Sequence, residues 1–331
     1  MMDLIAQAVR ILHAGGLVAF PTETVYGLGA DATNPQAVTR IFAAKGRPST
    51  NPLIVHVADE TAARRYAASW PATAEKLARL FWPGPLTLVV PRASCIAPAV
   101  GAGRDTVGLR SPDHALAAEL IRAFGGAIAA PSANRSNRVS PTTAEHVREE
   151  LGDAVDLILD GGACRVGIES TVLDLSGAVP AILRPGSITR EQIETAIGPV
   201  QLFTGAISSD AAAVSPGQQA VHYAPTAAAY RFTREQADTV ARWCRTNDAE
   251  STAVLLLGAP DEIPPALANF KFRRRMWLAP EPVEYAKDLY AALRELDVPD
   301  VKTMLVQIPP DEPPWAAVRD RLMRATKPIV E

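Results

Sequence analysis

Lys45 and Arg47 stand two residues apart in KGRPSTNPLIVH, residues 45–56, with Gly46 between them and Pro48 directly after. Pro52 then leads into an apolar run that carries His56. An ammonium is a compact point charge and a guanidinium a planar fork, and both suit phosphate oxygens. A lone Lys-Gly-Arg is more often a solvated charged turn, so its company matters. Five other polar clusters recur along the chain: PTETVYGLG (21–29), TVGLR (106–110), APSANRSNRVSPT (130–142), GIESTVLD (167–174) and LRPG (183–186). Each alone is ordinary turn chemistry. Each also falls at the end of an expected strand, and the crevice at strand ends is where α/β sheets bind ligands. Hydroxyls, amides and arginines gathered there would bind an anion.

The nucleotide signatures are missing. There is no G-x-x-x-x-G-K-[ST], and GAGRDTVG (101–108) misses the G-x-G-x-x-G spacing, so a triphosphate would be held without a P-loop. A G-x-S-x-G elbow and an H-E-x-x-H helix are absent too. His13, His56, His114, His146 and His222 show no ligand spacing, and no protein-held metal is expected. Cys95, Cys164 and Cys244 give neither a disulfide framework nor a zinc motif. Cys164 reads as structural. Lys and Arg number 33 against 36 Asp and Glu, a net charge of −3, so no global field draws the chain to nucleic acid. The segment FKFRRRMW (270–277) reads as a solvated basic strand rather than an RNA patch. His56 shares a strand face with Ile54, opposite Val55 and Val57, and by itself reads as a core histidine.

These clusters need a scaffold. The first residues pattern as an amphipathic helix ending at Gly15-Gly16, not as a signal peptide, and no apolar run approaches the ~20 residues of a membrane span. Strands are expected at 17–21, 53–57, 85–91, 105–110, 126–134, 155–162, 169–177 and 181–186. Helices are expected at 34–46, near 59–68 and 71–81, and at 113–124 and 142–152, while 22–32 reads as a loop. Periodicity fails from 204 to 226, which divides the chain into domains at 1–203 and 227–331 joined by a linker. In the second domain, helices at 234–247, 281–297 and 315–325 alternate with strands at 252–258 and 302–309, the pattern of a small parallel α/β unit.

Taken in order, KGRP with NPL and a following His, then SAN and Ser, then EST and RPG, resemble the YrdC-type threonylcarbamoyl-AMP synthases. The match runs over about residues 5–197, and SPGQQAVHYAP (215–225) with the C-terminal unit resembles the longer, two-domain form. The resemblance implies an α/β fold: a twisted mixed-sheet domain with a concave basic cavity, plus a smaller Rossmann-like domain. It implies that L-threonine, bicarbonate and ATP become L-threonylcarbamoyl-adenylate and pyrophosphate, with magnesium held mainly by the phosphates. A separate transferase machinery would then modify tRNA in the cytoplasm.

Position by position, the resemblance assigns Lys45 and Arg47 to catalysis. It assigns Thr24, His56, Arg110, Ala130 (through its backbone) and Ser170 to threonine. To ATP it assigns Arg47, Asn51, Thr106, Ser132, Asn134, Ser140, Arg184 and Tyr223. RSNRVS (135–140) departs from the family's usual Ser-Gly just before Ser140. Magnesium carried by phosphates would explain a site poor in Asp and Glu. Residues near 215–225, with Tyr223, are expected to fold over the nucleotide as a lid. An RNA-binding module and a carbamoyl-transfer module are the alternatives. Stable binding of nucleic acid or membrane is not expected.

Overall fold

A computed structural model describes residues 2–203 and 223–329. Residues 204–222, most of the expected linker and lid, lie outside the described residues. The described chain forms two units, Met1–Ser136 with Ser140–Ala220, and Asn137–Val139 with Val221–Glu331.

The first unit is built on ten strands: β1 (Val18–Phe20), β2 (Gly27–Asp31), β3 (Ile54–His56), β4 (Leu86–Pro91), β5 (Thr106–Arg110), β6 (Ile128–Ala129), β7 (Leu157–Ile158), β8 (Thr171–Asp174), β9 (Ala181–Arg184) and β10 (Gln201–Leu202). They form one mixed sheet in the order β10-β9-β8-β4-β5-β3-β6-β2-β1-β7. Its helices are α1 (Met2–His13), α2 (Pro35–Lys45), α3 (Glu60–Arg64), α4 (Ala72–Phe81), α5 (Ala115–Phe124), α6 (Ala144–Leu151) and α7 (Arg190–Ile197).

Alternation along the strands sorts side chains to two faces. Val55, Leu86, Leu88, Val90, Val107 and Leu109 point to one face and bury against Val38, Ile41 and Phe42 of α2 and Leu77 of α4. On the other face, α1 and α5 cover only the β1–β6 end, through Ile5, Leu12, Phe20, Leu120 and Ile128. Beyond them, Ile54, Val89, Val172 and Leu183 form a separate small cluster on the uncovered part of the sheet.

Three first-unit elements depart from expectation. Residues 27–31, read as loop, are strand β2, paired with both β1 and β6. The glycines in GLGAD erase the alternation that announces a strand. Helix α5 starts not at Asp113 but on His114, whose side chain accepts from the Leu116 N–H. Helix α7 went unread although Thr189 and Gln192 spell a reciprocal capping box, the pattern that would have revealed it.

The second unit is a five-stranded, all-parallel sheet ordered β13-β12-β14-β11-β15: β11 (Ala228–Phe232), β12 (Thr252–Leu257), β13 (Arg274–Leu278), β14 (Thr303–Gln307) and β15 (Lys327–Pro328). Helices α8 (Ala237–Thr246), α9 (Pro282–Leu296) and α10 (Ala316–Ala325) complete it. β13 is the basic strand expected within FKFRRRMW; Arg275 folds back over the Phe272 ring, and Arg273 pairs with Asp300. Arg138 pairs with Asp297 at 3.3 Å, which ties Asn137–Val139 into this unit.

Candidate functional site

Strand register gathers the expected residues. β3 lies parallel to β5 with His56 opposite Arg110. On the far side of β5, the antiparallel β4 places Thr87 one step past the Leu88–Leu109 pair. Thr87 then pairs with Val172 of β8, and Val172 with Arg184 of β9. His56, Arg110, Thr87 and Arg184 therefore share one level across five adjacent strands. Beside that row lies a small hollow whose walls include Pro52, Ile54, Thr87, Val89, Thr106 and Val172. From Pro52 to His56 the extended chain itself covers roughly 13 Å.

At the His56 end the polar groups are bonded to one another. Arg110 Nη2 lies 2.8 Å from Glu23 Oε2, and its Nε donates to the Gly84 carbonyl at 3.3 Å. Ser170 Oγ meets Thr87 Oγ1 at 2.8 Å. Arg184 clamps the Ser170 carbonyl through Nε at 3.1 Å and Nη2 at 2.9 Å, and Nη2 also reaches Ser170 Oγ at 3.2 Å. That clamp needs the glycine of RPG, because a Cβ on Gly186 would sit 2.3 Å from the Thr171 nitrogen. Thr24 is fully buried, its hydroxyl 2.8 Å from that of Thr22. Ala130 donates its N–H to the Ile54 carbonyl at 2.8 Å, so only its own carbonyl is left to face a ligand.

His56 is 3% exposed and stands edge-on to the Phe20 ring. Burial first, and the Arg110 charge second, push its pKa down to about 3. Its buried Nδ1 has no hydrogen-bond partner. In the unfolded chain the same imidazole ionises near 6.5, so between the two values the unfolded state binds the extra proton. Stability from this group is full above pH ~6.5 and falls as pH drops toward 3, by on the order of 4 kcal/mol. Denaturant unfolding across that window should show the slope in the wild type and a flatter profile in His56→Gln; equal slopes would place its origin elsewhere.

At the other end, Lys45 closes α2, where a cation meets the helix dipole favourably. Gly46 follows at φ +59, the left-handed turn that sends the chain on to Arg47. Lys45 Nζ donates to the Ser132 carbonyl at 2.5 Å and to the Asn134 carbonyl, and lies 3.4 Å from Asn134 Oδ1. Burial, and then the neighbouring Arg47 charge, hold its pKa well below the ordinary lysine value. Arg47 is 6% exposed, not solvated, and reaches the Pro52 carbonyl at 3.1 Å and the Asn51 carbonyl at 3.5 Å. Both amide atoms of Asn51 are buried without a hydrogen-bond partner. Thr106 lies on the wall of the hollow. Ser140 donates to Glu169 Oε1 at 2.6 Å.

Buried polar atoms left unpaired cost about 1–3 kcal/mol each. Here they include both amide atoms of Asn51, His56 Nδ1, both carboxylate oxygens of Glu23 and Arg110 Nη2. Carboxylates correct one expectation. Glu23 and Glu169 are both buried in this region, so it is not free of acids. Both were overlooked beside the hydroxyls of PTET and EST. Thr87 was missed as well, although it is the one polar residue in the apolar run PLTLVVP. Tyr223 belongs to the second unit, where it is 1% exposed, stacks on Tyr290 at 5.7 Å and lies under the Arg321 guanidinium at 5.4 Å. Cys164 is buried, its thiol pushed up to about 12 by burial, as befits a structural residue.

Comparison with known proteins names the architecture. Residues 10–186 match the family model Sua5_yciO_yrdC, described as "Telomere recombination". Residues 188–326 match that of the "Threonylcarbamoyl-AMP synthase, C-terminal domain". The threonylcarbamoyl-AMP synthase of Bacillus subtilis is 42% identical over 97% of this chain and 92% of its own length. That of Pyrococcus abyssi is 38% identical over 96% and 93%. The crystal structure of P. abyssi Sua5 complexed with L-threonine superposes with a TM-score of 0.88 at 38% identity, covering 98% of this chain and 95% of that one. The chain belongs to the threonylcarbamoyl-AMP synthase family.

Proposed function

With that membership as premise, we propose that the chain joins L-threonine, bicarbonate and ATP into L-threonylcarbamoyl-adenylate and releases pyrophosphate. The observation that supports this reading best is two sets of buried cations at the two ends of the segment that carries β3: Arg110 and Arg184 level with His56, and Lys45 and Arg47 after α2. Threonine sits at the first end, its side-chain hydroxyl among His56, Thr24 and Ser170 and its carboxylate on Arg110. The Ala130 carbonyl adds an acceptor at the same end. ATP occupies the second end, along Arg47, Asn51, Thr106, Ser132, Asn134 and Ser140, and extends to Arg184.

The threonine amine adds to CO2 derived from bicarbonate and loses its proton to the hydroxide that bicarbonate leaves behind, giving an N-carboxylate and water. One carboxylate oxygen then attacks the α-phosphorus, and the bond to pyrophosphate breaks. Two anions must meet, so Lys45 and Arg47 act by neutralising charge and holding the line of attack. Magnesium enters with the triphosphate as part of the substrate. The product is an activated acyl group, which a separate transferase would place on tRNA in the cytoplasm. Incubation with ATP, bicarbonate and each amino acid in turn, with mass detection of the adenylate, tests the reading. An adenylate should form with threonine; turnover without threonine dependence would refute it.

The stretch 204–226 is proposed as a lid that keeps water from the adenylate. A solved variant of P. abyssi Sua5 carries alanines at an adjacent His–Tyr pair, and His222-Tyr223 is the single such dipeptide here. Tyr223→Ala should shorten the lifetime of the bound intermediate. Tyr290→Ala removes the same ring stack from the second unit and should not. Equal lifetimes in wild type and Tyr223→Ala would leave the segment a tether.

A further inference from the structure

Glu23 has no exposed surface, and a buried carboxylate is tolerated only when its charge is answered. Arg110 answers part of it: Nη2 lies 2.8 Å from Oε2 as an ion pair, while both carboxylate oxygens and Nη2 are buried without a hydrogen-bond partner and Oε1 has no cation placed against it. Arg110 in turn is 4% exposed and pinned by its Nε to the Gly84 carbonyl. The pair sits at the end of β5, level with His56.

An α-amino acid carries its ammonium and its carboxylate on one carbon, so a touching pair of opposite charges is matched to both at once. The residues placed around threonine above, Thr24, His56, Arg110, Ala130 and Ser170, include no anion. Arg110 and Arg184 lie at the strand level of His56, and an ammonium brought there with no anion beside it would be repelled.

We propose that Glu23 and Arg110 read the zwitterion as one unit: the Arg110 guanidinium takes the α-carboxylate and Glu23 Oε1 receives the α-ammonium. The assignment rests on the synthase reading above and adds to it a substrate-binding residue. It also gives the buried pair a purpose that packing alone would not. A hydrophobic pair of similar volume would hold the fold as well or better. Glu23 is a binding residue in this scheme, and no proton transfer is assigned to it.

The test is calorimetric binding to the full chain of L-threonine and of 3-hydroxybutanoate, which keeps the carboxylate and hydroxyl but lacks the amine. Wild type should bind threonine at least ~30-fold more tightly, the scale of a charge-assisted contact. In Glu23→Gln that advantage should shrink to roughly threefold or less, with 3-hydroxybutanoate and a non-hydrolysable ATP analogue bound about as in wild type. Loss of both small ligands in equal measure would make Glu23 a structural residue and overturn the proposal, as would unchanged threonine binding. Should Glu23→Gln fail to fold, the wild-type comparison decides: equal affinity for the two ligands refutes the ammonium contact. A wild type that binds threonine yet fails these comparisons loses only this inference. One that binds neither ligand loses the synthase reading and the inference with it.

Discussion

Arg47→Ala should lower adenylate formation by ~30- to 1000-fold at saturating ATP, the equivalent of about 2–4 kcal/mol for one charged contact made in the transition state. The residue cannot be treated as a loop ornament. Its guanidinium is buried and bridges to the carbonyls of Asn51 and Pro52, so alanine also loosens the turn that delivers β3. Arg47→Lys separates the two effects. A lysine keeps the charge and loses the fork, so turnover should recover in part if charge is what the polyphosphate needs. Thermal unfolding of all three proteins reports the structural share. Near-native turnover in Arg47→Ala would remove the residue from the reaction.

The larger expected effect lies in the choice of amino acid. A site built to hydrogen-bond a hydroxyl can reject an isostere that lacks it by ~10⁴-fold or more, because its polar groups are then left buried and unpaired. Valine is that isostere. On the proposed reading the group at stake is His56 Nδ1, unpartnered and held neutral at ordinary pH, which would accept the threonine hydroxyl proton. Thr24 and Ser170 are engaged with Thr22 and Thr87, which fixes their hydroxyls in place. Serine differs by one methyl and should be disfavoured by only ~10- to 200-fold. Relative kcat/KM for threonine, serine and valine, read from adenylate formed in competition, gives both ratios. If valine were activated within tenfold of threonine, the polar pocket would be wrong.

The candidate anion-binding residues were legible as candidates because their chemistry is local. KGRP, SAN, EST and RPG announce themselves by residue type, and strand ends told where they would meet. What could not be read is what depends on register. Glu23 and Thr87 join the site only because β5, placed between β3 and β4, carries Arg110 to both of them. Strand β2 stayed hidden for a different reason: glycine carries no side chain and so no pattern. Whether a cation is solvated or buried is likewise a tertiary fact. Lys45 and Arg47 look like surface residues in one dimension, and each is nearly inaccessible in three.

Burial of Lys45 has a thermodynamic consequence for how nucleotide is taken up. Desolvation and the Arg47 charge disfavour the charged form of this amine, and a polyphosphate alongside it, as proposed above, would favour that form. Any proton taken up on complex formation would, by linkage, make the complex weaken as the medium becomes more alkaline between the free and bound pKa values. The heat of association would vary with the ionisation enthalpy of the buffer, its slope counting the protons absorbed. Ligand capture and acid–base state are in this way a single equilibrium, written into the last residue of one helix.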